Sequence, residues 1–206
     1  DIAVKAQTQL DEVARGLVET FAEHDPTGGG LPSLAGLFTW AGAPALAPSG
    51  IVSTGIAASL TVNAAFDPAF GGSMTLLRDG GANGAAYVEN TASAASYADR
   101  LIGFGIQMET PAGFDPATAI GGSLSLLSFS SQAVGWLDGQ RSDAMAASAS
   151  KEALSVRLAE KLSNATGVNV DEEMSQLMEL EHSYEASSRI IKAVDEMLAN
   201  LFDAVR

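Results

Sequence analysis

The chain contains no cysteine, which excludes disulfides, thiolate metal ligands and a thiol nucleophile and leaves packing to hold the fold. Basic residues are scarce too: 11 stand against 25 acids, for a net charge of -14. Such a surface lacks the cation density that counterion release from nucleic acid requires. No apolar run approaches the roughly 18 residues that cross a bilayer, and the opening residues read as an amphipathic helix rather than a secretory leader. A nucleic-acid partner, a membrane span and a cleaved signal are therefore not expected. The chain opens at Asp1 with no initiator Met, as expected of a piece of a longer protein.

Charge is also thin in the middle. Thr27 to Ser142 holds ten charged side chains, among them Asp67, Arg78, Asp79, Glu89, Asp99, Arg100 and Asp115, and Gly, Ala and Ser fill much of the rest. Low hydrophobicity with high charge marks disorder, and this stretch has neither, so a compact small-residue region is expected.

What the chain does have is helical periodicity at both ends. Leu10, Val13, Leu17 and Phe21 lie on one stripe, predicting a first helix to about Ala22 that Pro26 and the glycines at 28–30 close. Leu60, Val62, Ala64 and Phe66 alternate with Thr61, Asn63 and Ala65, predicting a strand that Asp67-Pro68 breaks, with Met74 to Leu77 as a partner strand turned by Arg78-Asp79-Gly80-Gly81. A further helix is predicted from near Ala92 to Pro111 on Tyr97, Leu101, Phe104 and Met108. Another follows over about Leu124 to Asn164, where Val134, Leu137, Met145, Leu154, Leu158 and Leu162 are the larger apolar positions. Gly135 and Gly139 each lower its propensity by about 1 kcal/mol relative to Ala and predict a bend or a late start.

The strongest pattern is the last. Val170, Leu177, Tyr184, Ile191, Leu198 and Val205 lie seven apart, and Leu180, Ser187, Val194 and Leu201 follow three residues behind the inner four, which is an a/d heptad seam. Ile190 and Met197 widen it on one side. Asn169 is placed to cap the free amides, with Glu172 three residues on as in a capping box, and Asp171 to Glu173 set three acids at the positive end of the helix dipole. From Asn169 to Arg206 such a helix reaches roughly 57 Å at about 1.5 Å per residue. The expected fold is mainly α: an elongated helical bundle with a long C-terminal coiled-coil-type helix and a small β-containing insertion. Its segments are a bundle helix (1–26), a Gly/Ala/Ser-rich region with short strands (27–89), a helical region (90–165) and the heptad helix (167–206). A seam of this kind is buried either within the chain, against helix one and the helix of Leu124 to Asn164, or against another molecule.

Chemistry-bearing constellations are few. Glu179 and His182 have the Glu-x-x-His spacing of di-iron bundles, but the second such pair that a site of that kind needs is missing, since His24 sits in a different context. Neither histidine lies beside a nucleophile-elbow sequence. The glycines around Arg78-Asp79-Gly80-Gly81-Ala82-Asn83-Gly84 lack the Gly-Lys-Ser/Thr of a phosphate cradle and read as a turn. The acids of the last helix lack the spacing of a calcium loop and read as a solvated face. No enzyme, metal or cofactor is expected.

Gly167-Val168-Asn169-Val170-Asp171-Glu172-Glu173-Met174, then Tyr184-Glu185-Ala186-Ser187-Ser188-Arg189-Ile190-Ile191, then Val194-Asp195-Glu196-Met197-Leu198 resemble the carboxy-terminal signature of flagellar hook-associated proteins of the FlgK type. Hook and rod proteins of the same axial family share a looser version. Leu10-Asp11-Glu12-Val13-Ala14-Arg15-Gly16-Leu17 and Leu60-Thr61-Val62-Asn63 with Asp67-Pro68 resemble elements of the same type upstream. The resemblance implies a structural subunit, exported unfolded by the flagellar secretion apparatus without a cleaved signal, that forms a ring of its own copies between neighbouring hook and junction or filament proteins outside the cell. It also implies an amino-terminal helix, not seen in this sequence, that pairs with the C-terminal one. Val170, Leu177, Leu180, Tyr184, Ile191, Val194, Leu198 and Leu201 are then the knobs of assembly. The competing reading is a stand-alone helical module that recognises a protein partner such as an export chaperone.

Overall fold

The structure, a computed structural model, describes residues 2–167 and 169–204. It is mainly helical, with two long helices at the C-terminal end and two small antiparallel strand pairs. The chain divides into two compact units, residues 1–145 and 146–206.

The first unit is organised around α1, Ile2–Thr20. The predicted apolar stripe supplies only part of its inward face. Leu10 is exposed and Val13, Leu17 and Phe21 are only half-buried, whereas Gln9, Asp11, Glu12 and Arg15 are buried beside Ala14 and Val18. Apolarity predicts which side chains leave water most cheaply, but a polar group is buried without loss once its hydrogen bonds are met, and each of these has a specific partner. The Asp11 carboxylate accepts from the Gly55 and Ala57 amides, both at 3.0 Å. It thereby caps from outside the short helix α2, Ile56–Ser59. Glu12 takes Arg15 in a two-pronged pair at 3.0 Å, while Arg15 also donates to the Gly113 carbonyl at 2.8 Å. Gln9 donates to the Thr118 carbonyl at 2.9 Å. Polar bonds of this kind pin the 55–57 and 113–118 segments, which have little regular structure, to one helix.

Two apolar clusters fill the space that remains. Ala14 and Val18 pack with Ala35, Ala47 and Ile56, under Phe38 and Trp40. Phe114, Ile120, Leu126 and Phe129 pack against Val13 and Leu17, with the Phe114 and Phe129 rings stacked at 4.0 Å. Gly16 stands in the middle of α1 at a cost of roughly 1 kcal/mol relative to Ala. A Cβ there would come within 2.6 Å of Leu126 Cδ1, so the glycine makes room for the buried Leu126 side chain.

The predicted strand over Leu60 to Phe66 is shorter than the alternation suggests. Only Thr61–Val62 (β2) pairs, antiparallel to Phe38–Thr39 (β1), with Phe38 opposite Val62. The Asn63 side chain accepts from the Ala65 amide at 3.0 Å and opens a tight turn over Ala64–Phe66, an Asx cap that ends pairing before the alternation does. Met74 to Leu77 is not a partner strand: Leu76–Asp79 is a helical turn, α3. The turn beyond it is where the glycines put it, Gly80 and Gly81 having φ of 79° and 95°. Helix α4, Asp99–Glu109, starts later than near Ala92 and ends before Pro111. Of its expected apolar positions Phe104 is buried and Leu101 is exposed. Ala112–Gly113 (β3) pairs with Ser123–Leu124 (β4). The middle of the chain is thus compact, as its composition predicts.

Helix α5, Leu126–Thr166, runs unbroken through Gly135 and Gly139 and crosses from the first unit into the second. The predicted late start at those glycines does not occur. Helix α6, Val170–Ala204, makes up most of the second unit.

Candidate assembly surface

The Asn169 carbonyl accepts the Glu173 amide at 3.0 Å, and Asp171, Glu172 and Glu173 fill the first turn of α6. Acids at that end lower the energy of the unpaired amides there. Nine acids stand against Arg189 and Lys192 among the described residues of α6. Arg189 pairs with Glu185 at 2.8 Å on an exposed face, an i,i+4 pair worth only a few tenths of a kcal/mol.

The heptad residues share one side of α6, and all are exposed, from 43% at Val194 to 76% at Tyr184. Val205 lies outside the described residues. In the whole of 146–204 every described residue is exposed except Ser188, which is intermediate. The seam is thus uncovered among the described residues of the single chain.

Single exposed leucines are ordinary on protein surfaces, whereas a contiguous apolar ribbon marks an interaction surface. Covering it is worth about 1.5–3 kcal/mol for each large side chain fully buried. The weak d position, Ser187, has its hydroxyl bonded to the Ser183 carbonyl at 2.8 Å. No hydrogen bond is therefore left wanting there, and beside Tyr184 the ribbon offers a small surface for close approach. Phe202, 72% exposed, was missed because it lies outside the a and d positions. Its place one residue after Leu201 and four after Leu198 was the available signal. In the part of α5 that belongs to this unit, Leu154, Leu158 and Leu162 are exposed at a four-residue spacing, a second apolar stripe on one face of the helix.

Among the described residues no three His, Asp or Glu side chains gather as a metal site would require, and no helix is long and apolar enough to cross a membrane. What this surface offers is packing.

Residues 162–203 match the family model described as flagellar basal body rod FlgEFG protein C-terminal. No curated protein and no solved structure matches the chain. The family match, falling on the exposed ribbon, supports a flagellar axial protein of rod and hook type, with a structural role, assembly with other flagellar proteins and a place in the flagellum.

Proposed function

We infer that the chain is a hook-associated subunit of the FlgK type, joining hook to filament, exported without a cleaved signal and assembled as a ring of its own copies through the α6 ribbon. The observation that carries this reading is the ribbon itself: eight aliphatic or aromatic side chains from Val170 to Leu201 on one side of a helix, all in water in the single chain. A neighbouring helix is the simplest cover, since knobs at a and d positions seat in the holes of a facing helix. The capping pair Asn169 and Glu172 then fixes where that helix begins. The junction position rests on the likeness of Tyr184 to Ile191 and of Val194 to Leu198 to the hook-associated signature, whereas the matched family model is of rod and hook type.

Immunogold electron microscopy of intact flagella with an antibody to the first unit tests the position. A narrow band between hook and filament is expected, and label spread along the hook or confined to the rod would assign the chain to another axial subunit. The second reading, a protein-binding module, is favoured by the same exposed ribbon and predicts a one-to-one heterocomplex with no higher assembly in light scattering.

A further inference from the structure

Asparagine followed by glycine is among the least durable pairs in a polypeptide at neutral pH, because glycine has no Cβ to keep its own amide nitrogen away from the asparagine side chain. Asn83-Gly84, in the turn after α3, is the one place where this chain has it. The fold requires both residues. Gly84 has φ of 113° and ψ of 174°, a backbone that residues with a Cβ rarely adopt. Asn83 Nδ2 donates one hydrogen to Glu23 Oε2 at 2.9 Å and the other to the Ala35 carbonyl at 2.8 Å. Neither serine nor aspartate could supply two hydrogens from one atom there.

The chemistry open to this pair uses no reagent but water. The Gly84 nitrogen gives up its proton and bonds to Asn83 Cγ, the Cγ–Nδ2 bond breaks, and Nδ2 leaves as ammonia after taking a proton from water. The five-membered imide that results takes up water at either carbonyl and opens to aspartate or isoaspartate. Asparagine and water have then become a carboxylic acid and ammonia.

Every part of that path is obstructed in the folded turn. The Gly84 amide donates to the Gly81 carbonyl at 3.0 Å, which disfavours loss of its proton. Two acceptors hold Nδ2, so Cγ is not free to swing toward residue 84. The Glu23 carboxylate beside it opposes the negative charge that builds up on the attacked amide.

We propose that Asn83 is a self-modification site, closed in the folded chain and open in the unfolded one, whose product cannot restore the first unit. An aspartate at 83 sets its carboxylate against the fully buried Glu23 and leaves the Ala35 carbonyl without its donor. Isoaspartate adds a carbon to the backbone of the turn as well. Asn83 thereby marks chains that have stayed unfolded for long, a property separate from the α6 ribbon and independent of it.

The test incubates the full chain at mildly alkaline pH, folded and in guanidinium chloride, and follows the peptide that holds Asn83 by mass spectrometry for the exchange of NH2 for OH. Conversion should be more than about tenfold faster in the denaturant, as for a reaction that needs local opening. Asn83→Gln, compared in guanidinium so that its folding is irrelevant, should suppress it, because the longer side chain closes only a slower six-membered ring. Converted chains, separated by their added negative charge, should fail to regain the first unit on dilution, and Asn83→Asp should unfold at a lower urea concentration than the original chain. Equal rates with and without denaturant overturn the proposal. So does an Asn83→Asp chain as resistant to urea as the original.

Discussion

Residues 2–145 bury charge and residues 146–204 expose aliphatic side chains, which inverts the usual arrangement in both halves. In the first unit Asp11, Glu12, Arg15, Glu23 and Arg100 are almost wholly removed from water while Leu10, Phe70 and Ile106 are not. In the second, leucine, isoleucine and valine of α5 and α6 lie in water. The common rule is that a group is buried where a partner exists. Loops rich in Gly, Ala and Ser offer amides and carbonyls, and carboxylates and guanidinia satisfy them. A helix of heptad pattern offers only knobs, and knobs need another helix.

That comparison breaks most sharply at the ribbon. Leu177→Asp with Leu198→Asp should abolish assembly of the intact protein, read by sedimentation. The fluorescence of Trp40 and Trp136, both in the first unit, should report unchanged stability to within about 0.5 kcal/mol, as for exposed sites generally. Assembly that survives both aspartates would remove the ribbon from the interface.

Next in size comes Glu23, fully buried, which accepts from the Ala82 amide at 2.9 Å and the Asn83 amide at 2.8 Å and faces Arg100. Glu23→Ala strands those donors and a buried cation, and should cost the first unit about 3–5 kcal/mol in urea unfolding while leaving the helicity of 146–204 intact by circular dichroism. Asp11→Ala, which frees the Gly55 and Ala57 amides, should cost about 1–3 kcal/mol. A loss near zero in either variant would mean that polar pinning does not hold this body together.

The smallest effect is a matter of pH. The Thr27 hydroxyl, the Thr27 amide and the Leu31 amide hold the Asp25 carboxyl down at about 2, below the ordinary aspartate value of about 3.9. A depressed folded value means that the loop's stabilisation is complete above about pH 4 and is lost as pH falls toward 2. The Thr27 and Leu31 amide signals should therefore move together across that window, and movement centred near 4 would contradict the hydrogen bonds at 25–31.

Residues whose effect is local were legible in the chain. Pro111 stops a helix, Gly80 and Gly81 make a turn, and Asn169 precedes a helix start rich in acids. The heptad spacing from Val170 to Leu201 marked the candidate surface without any structure, because a seven-residue beat is a property of one helix. Strand length was not legible in the same way. Thr61 and Val62 pair but Ala64 and Phe66 do not, since the Asn63 side chain competes for the backbone. Nor was the inward face of α1: Glu12 and Arg15 lie three residues apart, and nothing in that spacing records that Arg15 reaches the Gly113 carbonyl and lies over the Phe114 ring.

The sequence by itself determined the two long C-terminal helices, the amphipathic ribbon and the absence of thiol chemistry, because periodicity, capping and composition act within a few residues of their cause. Only the tertiary structure decided that acids and arginines of α1 and α4 would be core. That outcome depends on which backbone amides arrive from distant loops, and no local pattern records that arrival.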